Sequence, residues 1–512
     1  QEPLCTYRIA NFKTASADKD AGAAFLKYKD FKPYVDYFNS MEDENIAQAI
    51  PNARASQWME ENIPLFECSQ KNFEEMYYYR WWTLRKHIKE TPVGYGMTEF
   101  LVNRSYADKY NLIACAIGHH IYESRWLRNP EYLNQIIHTW YRGNEGGPMA
   151  KMTKFSSWNA DAVLGRYMVD GNKEFLLDMV KDLEAEYARW EKTNRLPNGL
   201  YWQGDVQDGM EESISGGRRK QYARPTINSY MYGNAKALSL IGIMTGDEGM
   251  AMKYGLKADS IKTLVQDKLW NTDHHFFETM RGDASAEVRE AIGYIPWYFN
   301  LPDASSKYTV AWKEVMDEKG FSAPYGLTTA ERRHPEFRTH GVGKCEWDGA
   351  IWPFASAQTL TAMANFMNNY PQTVLTDSVY FHQMERYVES QHHRGRPYIG
   401  EYLDEVTGYW LKGDQERSRY YNHSTFNDLM ITGLIGLRPR MDNTVEVNPL
   451  IPEGKWDYFC LDNVLYHGRN LTILWDKDGS RYQRGKGLHI YVDGKEVGHA
   501  DTLTRVLCEN VL

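Results

Sequence analysis

Three stretches of the chain resemble one another, and they constrain the fold more than any other feature. They are "WNADAVLGRYMVDGN" (158–172), "YGNAKALSLIGIMTGD" (232–247) and "WPFASAQTLTAMANFMNN" (352–369). Each begins at an aromatic residue, continues through small and apolar residues and ends near Gly or Asn, and a charged amphipathic helix follows. Because the first helix of each pair is apolar on nearly all sides, it should be buried, whereas the second, with one apolar stripe, should face solvent.

Helical periodicity extends well beyond these three pairs. We predict helices at 72–89, 107–126, 129–142, 156–170, 173–192, 226–245, 247–269, 287–299, 304–317, 349–368, 371–390 and 422–437. Buried–exposed helix pairs repeated at roughly 40–60 residues are typical of a closed ring of hairpins, and these helices would form six of them. The sequence therefore predicts a mainly α fold, an (α/α)6 toroid. A straight solenoid is the alternative, but its repeats would be more regular in length.

After residue 440 the helical periodicity ends, and apolar and polar residues alternate in stretches such as "VLYHGRNLTILWD" and "GLHIYVDGKEVGHA". The tripeptides "KDG" and "VDG" are typical of hairpin turns. These predict a small C-terminal antiparallel β domain. We expect three parts: a mixed N-terminal segment at 1–70 that contains "YRIANF" and "IPLFEC", a barrel at 71–439 and the β domain at 440–512.

Composition limits the partners and the location. The net charge is −9 over 512 residues and the longest basic cluster is "GGRRKQ" (216–221), so nucleic acid is not expected to bind. No apolar run approaches the ~20 residues that span a bilayer, so no membrane partner is expected. Because the chain begins with Gln1, we expect a periplasmic or secreted protein whose signal peptide was removed, although a trimmed chain would also begin this way. We expect a monomer or a weak homo-oligomer.

Metal and cofactor signals are weak. The six cysteines have no metal-ligand spacing, and buried free thiols are their commoner state in a chain of this size, although pairing in an oxidising compartment is the alternative. His119 and His120, followed by Glu123, would point apart on a helix. We therefore expect neither a metal nor a cofactor.

Three long connections, at 193–225, 318–348 and 391–421, interrupt the helices. Links of this length in a compact domain are usually functional. They are rich in carboxylates and aromatic residues, which suggests one shared site at one rim of the ring. The residues concerned are Trp202, Asp205, Asp208, Glu211, Glu212, Arg224, Glu346, Trp347, Asp348 and Glu401.

The segment "YIGEYLDEVTGYW" (398–410) places Glu401 among aromatic side chains. Pro397, Gly400 and Gly408 interrupt any helical pattern, so a loop or short hairpin is predicted. Two carboxylates surrounded by Trp and Tyr are what glycoside cleavage needs, because one protonates the departing oxygen and the other activates water or attacks the anomeric carbon. Glu401 is one candidate, and a surface charge on a hairpin is the alternative.

The second carboxylate is sought in "GDVQDGMEES" (204–213), which offers Asp205, Asp208, Glu211 and Glu212. A solvated acidic loop without a function is the alternative. However, apolar and aromatic segments flank this stretch, "GLYW" before it and "RPTINSYMYGNA" after it, and a solvated loop does not require them. The further substrate-binding candidates are Trp202, Asp205, Arg224, Asn228, Trp347, Asp348, Trp352, Tyr402, Trp410, His423, Arg80 and Trp81.

Four motifs, "GDVQDGMEES", "CEWDGAIWP", "EYLDEVTGYW" and "YNHSTFNDLMITGLIGLRP", occur in an order that resembles the trehalase-like (α/α)6 glycosidases. These are the trehalases, the glycoside hydrolase family 63 α-glucosidases and the mannosylglycerate hydrolase-like enzymes. The resemblance covers roughly 70–475. It implies an exo-acting, inverting hydrolase that removes an α-linked sugar from an oligosaccharide or glycoconjugate.

The resemblance also implies roles for the carboxylates. The family's general base lies in a pattern like Glu-x-Tyr-(Asn/Asp)-x-x-Thr-Gly, and "EYLDEVTG" places Glu401 there with Tyr402 one position early. The general acid is usually the Asp of Gly-(Trp/Met)-Asp-Asn, and the matching register holds Glu211 in its place. Glu211 is the first choice for the acid, and Asp208, three residues earlier, is the alternative.

Three other functions are alternatives to a glycoside hydrolase. In a glycoside phosphorylase on the same barrel, phosphate would replace water, with His423, Ser424 and Thr425 as conceivable ligands, but Glu401 argues against it. A polysaccharide lyase would need a Tyr/His pair and basic residues. A non-catalytic glycan-binding protein would have lost one of the two carboxylates, and neither is plainly lost.

Overall fold

The computed structural model describes residues 24–512. The stretch "YRIANF" (7–12) and Cys5 lie outside these residues. The α-helices are Lys32–Ser40, Asn52–Asn62, Lys71–Lys86, Ile117–Ser124, Pro130–Arg142, Asn159–Asp170, Lys173–Asp178, Val180–Asn194, Pro225–Thr245, Glu248–Leu264, Ile295–Tyr298, Ser306–Thr309, Pro353–Asn369, Asp377–Ser390 and Asn427–Leu429. The fold is mainly α.

The helices close into a ring. Within the described chain, each inner helix packs on the next and the last packs on the first. The inner helices are Ile117–Ser124, Asn159–Asp170, Pro225–Thr245, Ile295–Tyr298, Pro353–Asn369 and Asn427–Leu429. The prediction of an (α/α)6 toroid is confirmed, and a closed ring excludes the straight solenoid.

The repeated pairs behave as their sequences predict. The helices Asn159–Asp170, Pro225–Thr245 and Pro353–Asn369 are buried along most of their length. Their partners Glu248–Leu264 and Asp377–Ser390 bury a single stripe of side chains. The small residues of the inner helices allow this packing: a Cβ at Gly233 would lie 2.2 Å from the Phe299 ring.

Four predicted helices are much shorter than expected. The predicted helix 287–299 contains α-helix only at Ile295–Tyr298, after a 3-10 turn at Ala291–Tyr294. The predicted helix 107–126 contains α-helix only at Ile117–Ser124, because Tyr110 and Asn111 have positive φ angles and residues 98–116 form a loop. The predicted helix 304–317 is the short helix Ser306–Thr309 followed by a 3-10 turn. The predicted helix 422–437 begins only at Asn427.

The strands form one large sheet and several small ones. The sheet contains Leu65–Cys68, Tyr458–Tyr466, Arg469–Asp476, Gly487–Val492 and Lys495–Ala500 in that spatial order, all antiparallel. The "VDG" turn joins the last two strands as predicted, whereas "KDG" opens a longer connection at 477–486. Short paired strands are Ile88–Thr91, Gly94–Met97, Trp202–Gln203, Tyr222–Ala223, Trp270–Asn271, Phe276–Phe277, Met280–Arg281, Ala284–Ser285, Ser322–Ala323, Gly326–Leu327, His392–His393, Arg396–Pro397, Val445–Val447 and Val506–Cys508.

The N-terminal and C-terminal parts contribute strands to the same sheet, and both pack into the same apolar core as the barrel. Strand Leu65–Cys68 pairs with Tyr458–Tyr466, so the N-terminal segment contributes an edge to the C-terminal sheet. One continuous apolar core extends from Leu26 to Cys508. The five cysteines of the described residues are free thiols. A search of the described helices finds none with the length and apolar character that a bilayer crossing demands.

Candidate active site

A cavity of about 610 Å³ opens at the end of the ring where the inner helices begin. Its wall comes from the segments that immediately precede those helices, so it faces the positive ends of their dipoles. All three long connections contribute, and the structure therefore brings them together at one rim. The polar and aromatic lining residues are Glu99, Tyr106, Cys115, Lys154, Phe155, Gln207, Glu211, Glu212, Arg218, Lys344, Cys345, Trp352, Phe354, Glu401, Lys412, Arg417, Tyr421 and His423.

Glu211 reaches this cavity from a tight turn. Gly209 adopts φ 72°, and Glu212 adopts φ 67°, a left-handed conformation that is uncommon for a residue with a side chain. Burial raises the pKa of Glu211 to about 7, and the nearby charge of Glu401 acts in the same direction. A carboxyl that keeps a proton on about half of the molecules at neutral pH can donate it to a leaving group.

Glu401 lies on the short hairpin that the sequence predicts. Leu403 bridges Ile351 on one side and Trp410 on the other, and the backbone N–H of Gly408 donates to the carbonyl of Asp404 at 3.0 Å. Glu401 is 5% exposed. Its Oε2 has only long contacts, to the Arg417 guanidinium at 3.5 Å and the Ser418 hydroxyl at 3.4 Å. These contacts hold the carboxyl group in place, and no close ion pair occupies its oxygen atoms.

Asp208 is placed differently from Glu211. Its carboxylate is fully buried and accepts a hydrogen bond from the Arg224 guanidinium at 2.7 Å, another from the Thr226 hydroxyl at 2.5 Å and a third from Ser156. It does not line the cavity. These contacts give Asp208 and Arg224 a structural role beneath the loop that carries Glu211.

An aromatic stack supports one wall. The rings of Trp347 and Trp352 lie 4.7 Å apart, and those of Trp352 and Tyr402 lie 4.5 Å apart, both nearly parallel. Only Trp352 of the three lines the cavity. Trp347 and Tyr402 are therefore a backing for the Trp352 ring rather than a direct sugar platform.

Several predicted substrate ligands use their polar groups inside the fold instead. Arg80 donates to the Gln391 side chain at 2.8 Å and to Ser424, and Asn228 bonds both backbone groups of Tyr201. Asp348 accepts from two backbone N–H groups, at 2.7 and 2.9 Å. The prediction that these residues contact the sugar directly is wrong. Each is buried and already hydrogen-bonded within the fold, so it supports the structure around the cavity.

Four further predicted ligands also lie off the cavity wall. Trp410 donates its indole N–H to the His392 carbonyl at 3.0 Å, and Asp205 caps the next turn by accepting from the Val206 N–H at 2.8 Å. Trp81 is fully buried, and Trp202 lies in the short strand Trp202–Gln203. Packing and turn formation account for these four positions.

His423 lines the cavity as predicted, but it is a neutral imidazole. Burial lowers its pKa well below the ordinary value. The adjacent Ser424 hydroxyl accepts from Arg80 at 2.9 Å. This arrangement offers a phosphate ion no cationic histidine and no free serine, which weakens the phosphorylase alternative.

His119, His120 and Glu123 are bonded within the barrel. The histidine Nε2 atoms lie 3.2 Å from the Phe354 carbonyl and 2.7 Å from the Asn422 carbonyl. Glu123 accepts from three backbone N–H groups at the start of the last inner helix. The cluster of residues 24–512 with metal-ligand spacing, His274, Glu278 and Glu287, lies outside the cavity, and contacts between the histidine and both carboxylates already account for it.

Sequence reasoning missed the remaining lining residues. Glu99, Tyr106 and Cys115 come from the loop 98–116. The predicted helix 107–126 included Cys115, and no site was predicted in the segment that contains Glu99 and Tyr106. The cations Lys154, Arg218, Lys344, Lys412 and Arg417 line the same cavity and are scattered over four connections. Only Arg218 belongs to a local basic cluster, the "GGRRKQ" stretch (216–221).

Comparison with known proteins agrees with this geometry. Residues 109–424, more than half of the chain, match the family described as mannosylglycerate hydrolase MGH1-like glycoside hydrolase domain. The chain belongs to this family. Residues 437–499 match the C-terminal domain of glycosyl hydrolase family 65. The chain is thus a glycoside hydrolase domain followed by a small β domain, and the resemblance that the motifs carry is confirmed.

Solved structures extend the comparison. A structure described as a sialidase is 83% identical, with a TM-score of 0.96 over 97% of this chain, which spans only 46% of that longer chain. The family 63 mannosylglycerate hydrolase of Thermus thermophilus is 12% identical, with a TM-score of 0.53 over 70% of this chain and 99% of that one. A family 78 rhamnosidase of a Bacillus species is 11% identical, with a TM-score of 0.54 over 81% of this chain and 40% of that one. The last two show a shared fold.

Proposed function

We propose that this glycoside hydrolase domain is an exo-acting, inverting enzyme in which Glu211 is the general acid and Glu401 the general base. The observation that carries the proposal is the presence in one cavity of two carboxyls that have no close ion pair among residues 24–512. Burial raises the pKa of Glu211 to about 7, and Glu401 keeps only long polar contacts. A carboxyl whose pKa is raised can serve as the acid, and a second carboxyl in the same cavity can serve as the base.

The chemical sequence follows from these positions. Glu211 transfers its proton to the glycosidic oxygen as the bond to the anomeric carbon breaks. Glu401 removes a proton from a water molecule, whose oxygen attacks that carbon from the opposite face. The products are a free sugar of inverted configuration and the remainder of the glycan with a new hydroxyl group. Glu211 ends ionised and Glu401 protonated, so a proton exchange with solvent restores the starting state.

We further propose that the glycan on the leaving-group side is acidic. The side chain of Lys344 is 66% exposed and Arg218 is also exposed, so both lie at the mouth, whereas Glu99 and Glu401 lie deep in the cavity. Five cations share this cavity with four carboxyls, and burial raises the pKa of two of these carboxyls, Glu211 and Glu99, to about 7 and about 8. The mouth is therefore positively charged near neutral pH and would attract a carboxylate-bearing saccharide.

The test is sugar release followed by proton NMR during the first minutes. The panel contains α-linked substrates first, then β-linked ones, as pyranosides and furanosides, each with a neutral or a uronate-type neighbour. We expect release of one terminal sugar with inverted anomeric configuration, faster from the acidic glycans. Initial retention of configuration would recast Glu401 as a nucleophile. Sugar-1-phosphate formed only on adding phosphate would favour the phosphorylase.

Because the 83% identical structure is described as a sialidase, one further substrate class is added to this panel. That name belongs to a chain more than twice as long, so a terminal sialoside is included as a substrate to be tested. Release of sialic acid with an activity that Glu401→Gln abolishes would assign the sialidase reaction to this cavity. If binding of all saccharides persists without any release, the domain is a glycan-binding module.

A further inference from the structure

Glu99 is a third carboxyl in the cavity, and neither the motifs nor the mechanism above assigns it a role. It follows the strand Gly94–Met97, is 3% exposed and lines the cavity with Glu211 and Glu401. Its backbone carbonyl accepts from the Asn422 N–H at 2.9 Å, which fixes the loop to the connection that carries Glu401. A buried carboxyl held by the backbone in a substrate cavity is positioned to contact what binds there.

In the described part of the chain, Glu99 has no ion pair with a lysine or an arginine. The Cys115 thiol donates to Oε1 at 3.4 Å, and Nδ1 of His423 lies 3.7 Å from the same oxygen. His423 carries no charge because burial lowers its pKa well below the usual value. The titratable groups that face Glu99 are thus Cys115, His423, Tyr106, Tyr421, Glu211 and Glu401.

A buried carboxyl without a cation remains protonated, because its ionised form would lose hydration without compensation. Burial raises the pKa of Glu99 to about 8, with smaller contributions from the charges of Glu401 and Glu211. A protonated carboxyl differs from an ionised one in having an O–H donor. Near neutral pH the cavity therefore contains two carboxyls, Glu99 and Glu211, that can donate a hydrogen bond.

We propose that Glu99 contacts the bound sugar and donates a hydrogen bond to it as a neutral acid. The inference rests on the proposed function, since it requires a sugar between Glu211 and Glu401. The acceptor is a hydroxyl or ring oxygen of that sugar. Ionisation of Glu99 removes the donor and adds a negative charge beside Glu401, so the enzyme loses its ability to bind and cleave the sugar.

The first test compares pH profiles of kcat/KM. In the wild type, both Glu211 and Glu99 must keep their protons, so kcat/KM falls by about a hundredfold per pH unit above pH 8. In Glu99→Gln, whose amide still donates, only Glu211 titrates and the fall is about tenfold per unit. At pH 6 this variant retains kcat/KM within about tenfold of the wild type, the scale of one neutral hydrogen bond, and Glu99→Ala loses more. The change appears mainly in KM.

Two kinetic outcomes overturn the proposal. One is an unchanged slope in Glu99→Gln, which would leave Glu99 a structural group. The other is a loss in kcat as large as that of Glu401→Gln, which would make Glu99 an ionised catalytic residue. Full activity of Glu401→Gln would instead overturn the proposed function, and the two failures are therefore distinguishable.

The second test needs no substrate. Infrared difference spectra between pH 6 and pH 9 should show the carbonyl stretch of a protonated carboxyl that disappears near pH 8 in the wild type and is missing from Glu99→Gln. If Glu99→Gln does not fold, the same band is assigned by its persistence in Glu211→Gln, Glu401→Gln and Asp161→Asn, since burial also raises the pKa of Asp161 to about 7. Absence of any such band above pH 7 in the wild type contradicts the proposal.

Discussion

The ring has a cavity at each end, and the two cavities are similar in size. Charged side chains form close ion pairs in one cavity, whereas the candidate catalytic carboxyls in the other do not. The candidate active site, about 610 Å³, lies where the inner helices begin, and a second cavity of about 660 Å³ lies where they end. In the second cavity Arg125 pairs with Asp428 at 2.8 Å and Arg440 pairs with Glu446 at 2.8 Å. In the first, Glu211 has no ion pair among residues 24–512 and Glu401 has one at 3.5 Å.

The difference separates groups that hold the fold from groups that are free to react. A buried carboxylate in a close ion pair is held by its partner, whereas burial without such a partner raises the pKa of a carboxyl, as it does for Glu211. Asp161, in the second cavity, shows that a shift alone is insufficient. Burial raises its pKa to about 7, but it already accepts a hydrogen bond from the Tyr122 hydroxyl at 2.6 Å.

The largest expected effect is on proton donation by Glu211. Glu211→Gln should lower kcat by at least ~10²-fold on natural glycans, because the leaving oxygen loses its proton source. Aryl glycosides of acidic phenols need little protonation and should be nearly spared. Rates for both substrate types on the purified variant check this. The same substrate-dependent signature in Asp208→Asn, and not in Glu211→Gln, would move the acid to Asp208.

Breaking the paired groups should affect folding instead of chemistry. Asp428→Asn and Asp208→Asn each leave a buried arginine without its partner, which typically costs about 3–5 kcal/mol of unfolding free energy. Thermal or denaturant unfolding measures the loss, and kcat per folded molecule of Asp428→Asn should change by less than about threefold. Equal stability of Asp428→Asn and wild type would break the distinction between the two cavities.

Most of the ring was predictable from sequence, because small and apolar residues such as Gly233 and Ala237 repeat at helical spacing and fix which helices are buried. Glu401 and Glu211 were predictable because local motifs surround them. Glu99 was not, since its partners Cys115 and His423 are distant in sequence and no motif surrounds it. The bonding of Arg80 and Asp348 inside the fold likewise depends on contacts that no local pattern encodes.

A smaller effect concerns the pH dependence of stability. The folded-state pKa of Glu99, about 8, lies above its ordinary value of 4.5. Between these values the folded chain binds more protons than the unfolded chain, so this group's stabilisation is complete below pH 4.5 and declines as pH rises to 8. The slope is at most about 1.4 kcal/mol per pH unit. Melting temperatures of Glu99→Gln should fall less than those of the wild type across this window; parallel curves would contradict the assignment.

The smallest expected effect is at the mouth. Lys344→Met removes one exposed cation, so KM for an acidic glycan should rise severalfold and its dependence on ionic strength should weaken, because exposed charges are screened by salt. The KM for a neutral glycan should hardly change. Lys236→Met, which removes an exposed cation from the second cavity, is the matched control. Equal changes in KM for acidic and neutral substrates would contradict the proposal that the glycan on the leaving-group side bears carboxylates.

The most direct test compares Glu401→Gln with Asp428→Asn, two variants that each replace one buried carboxylate by an amide. If the loosely held carboxylate of the first cavity is the general base, Glu401→Gln should lower kcat by at least ~10²-fold with nearly unchanged substrate binding and melting temperature. Asp428→Asn should lower the melting temperature and leave kcat per folded molecule almost intact. Near-full activity in a folded Glu401→Gln variant would contradict the account.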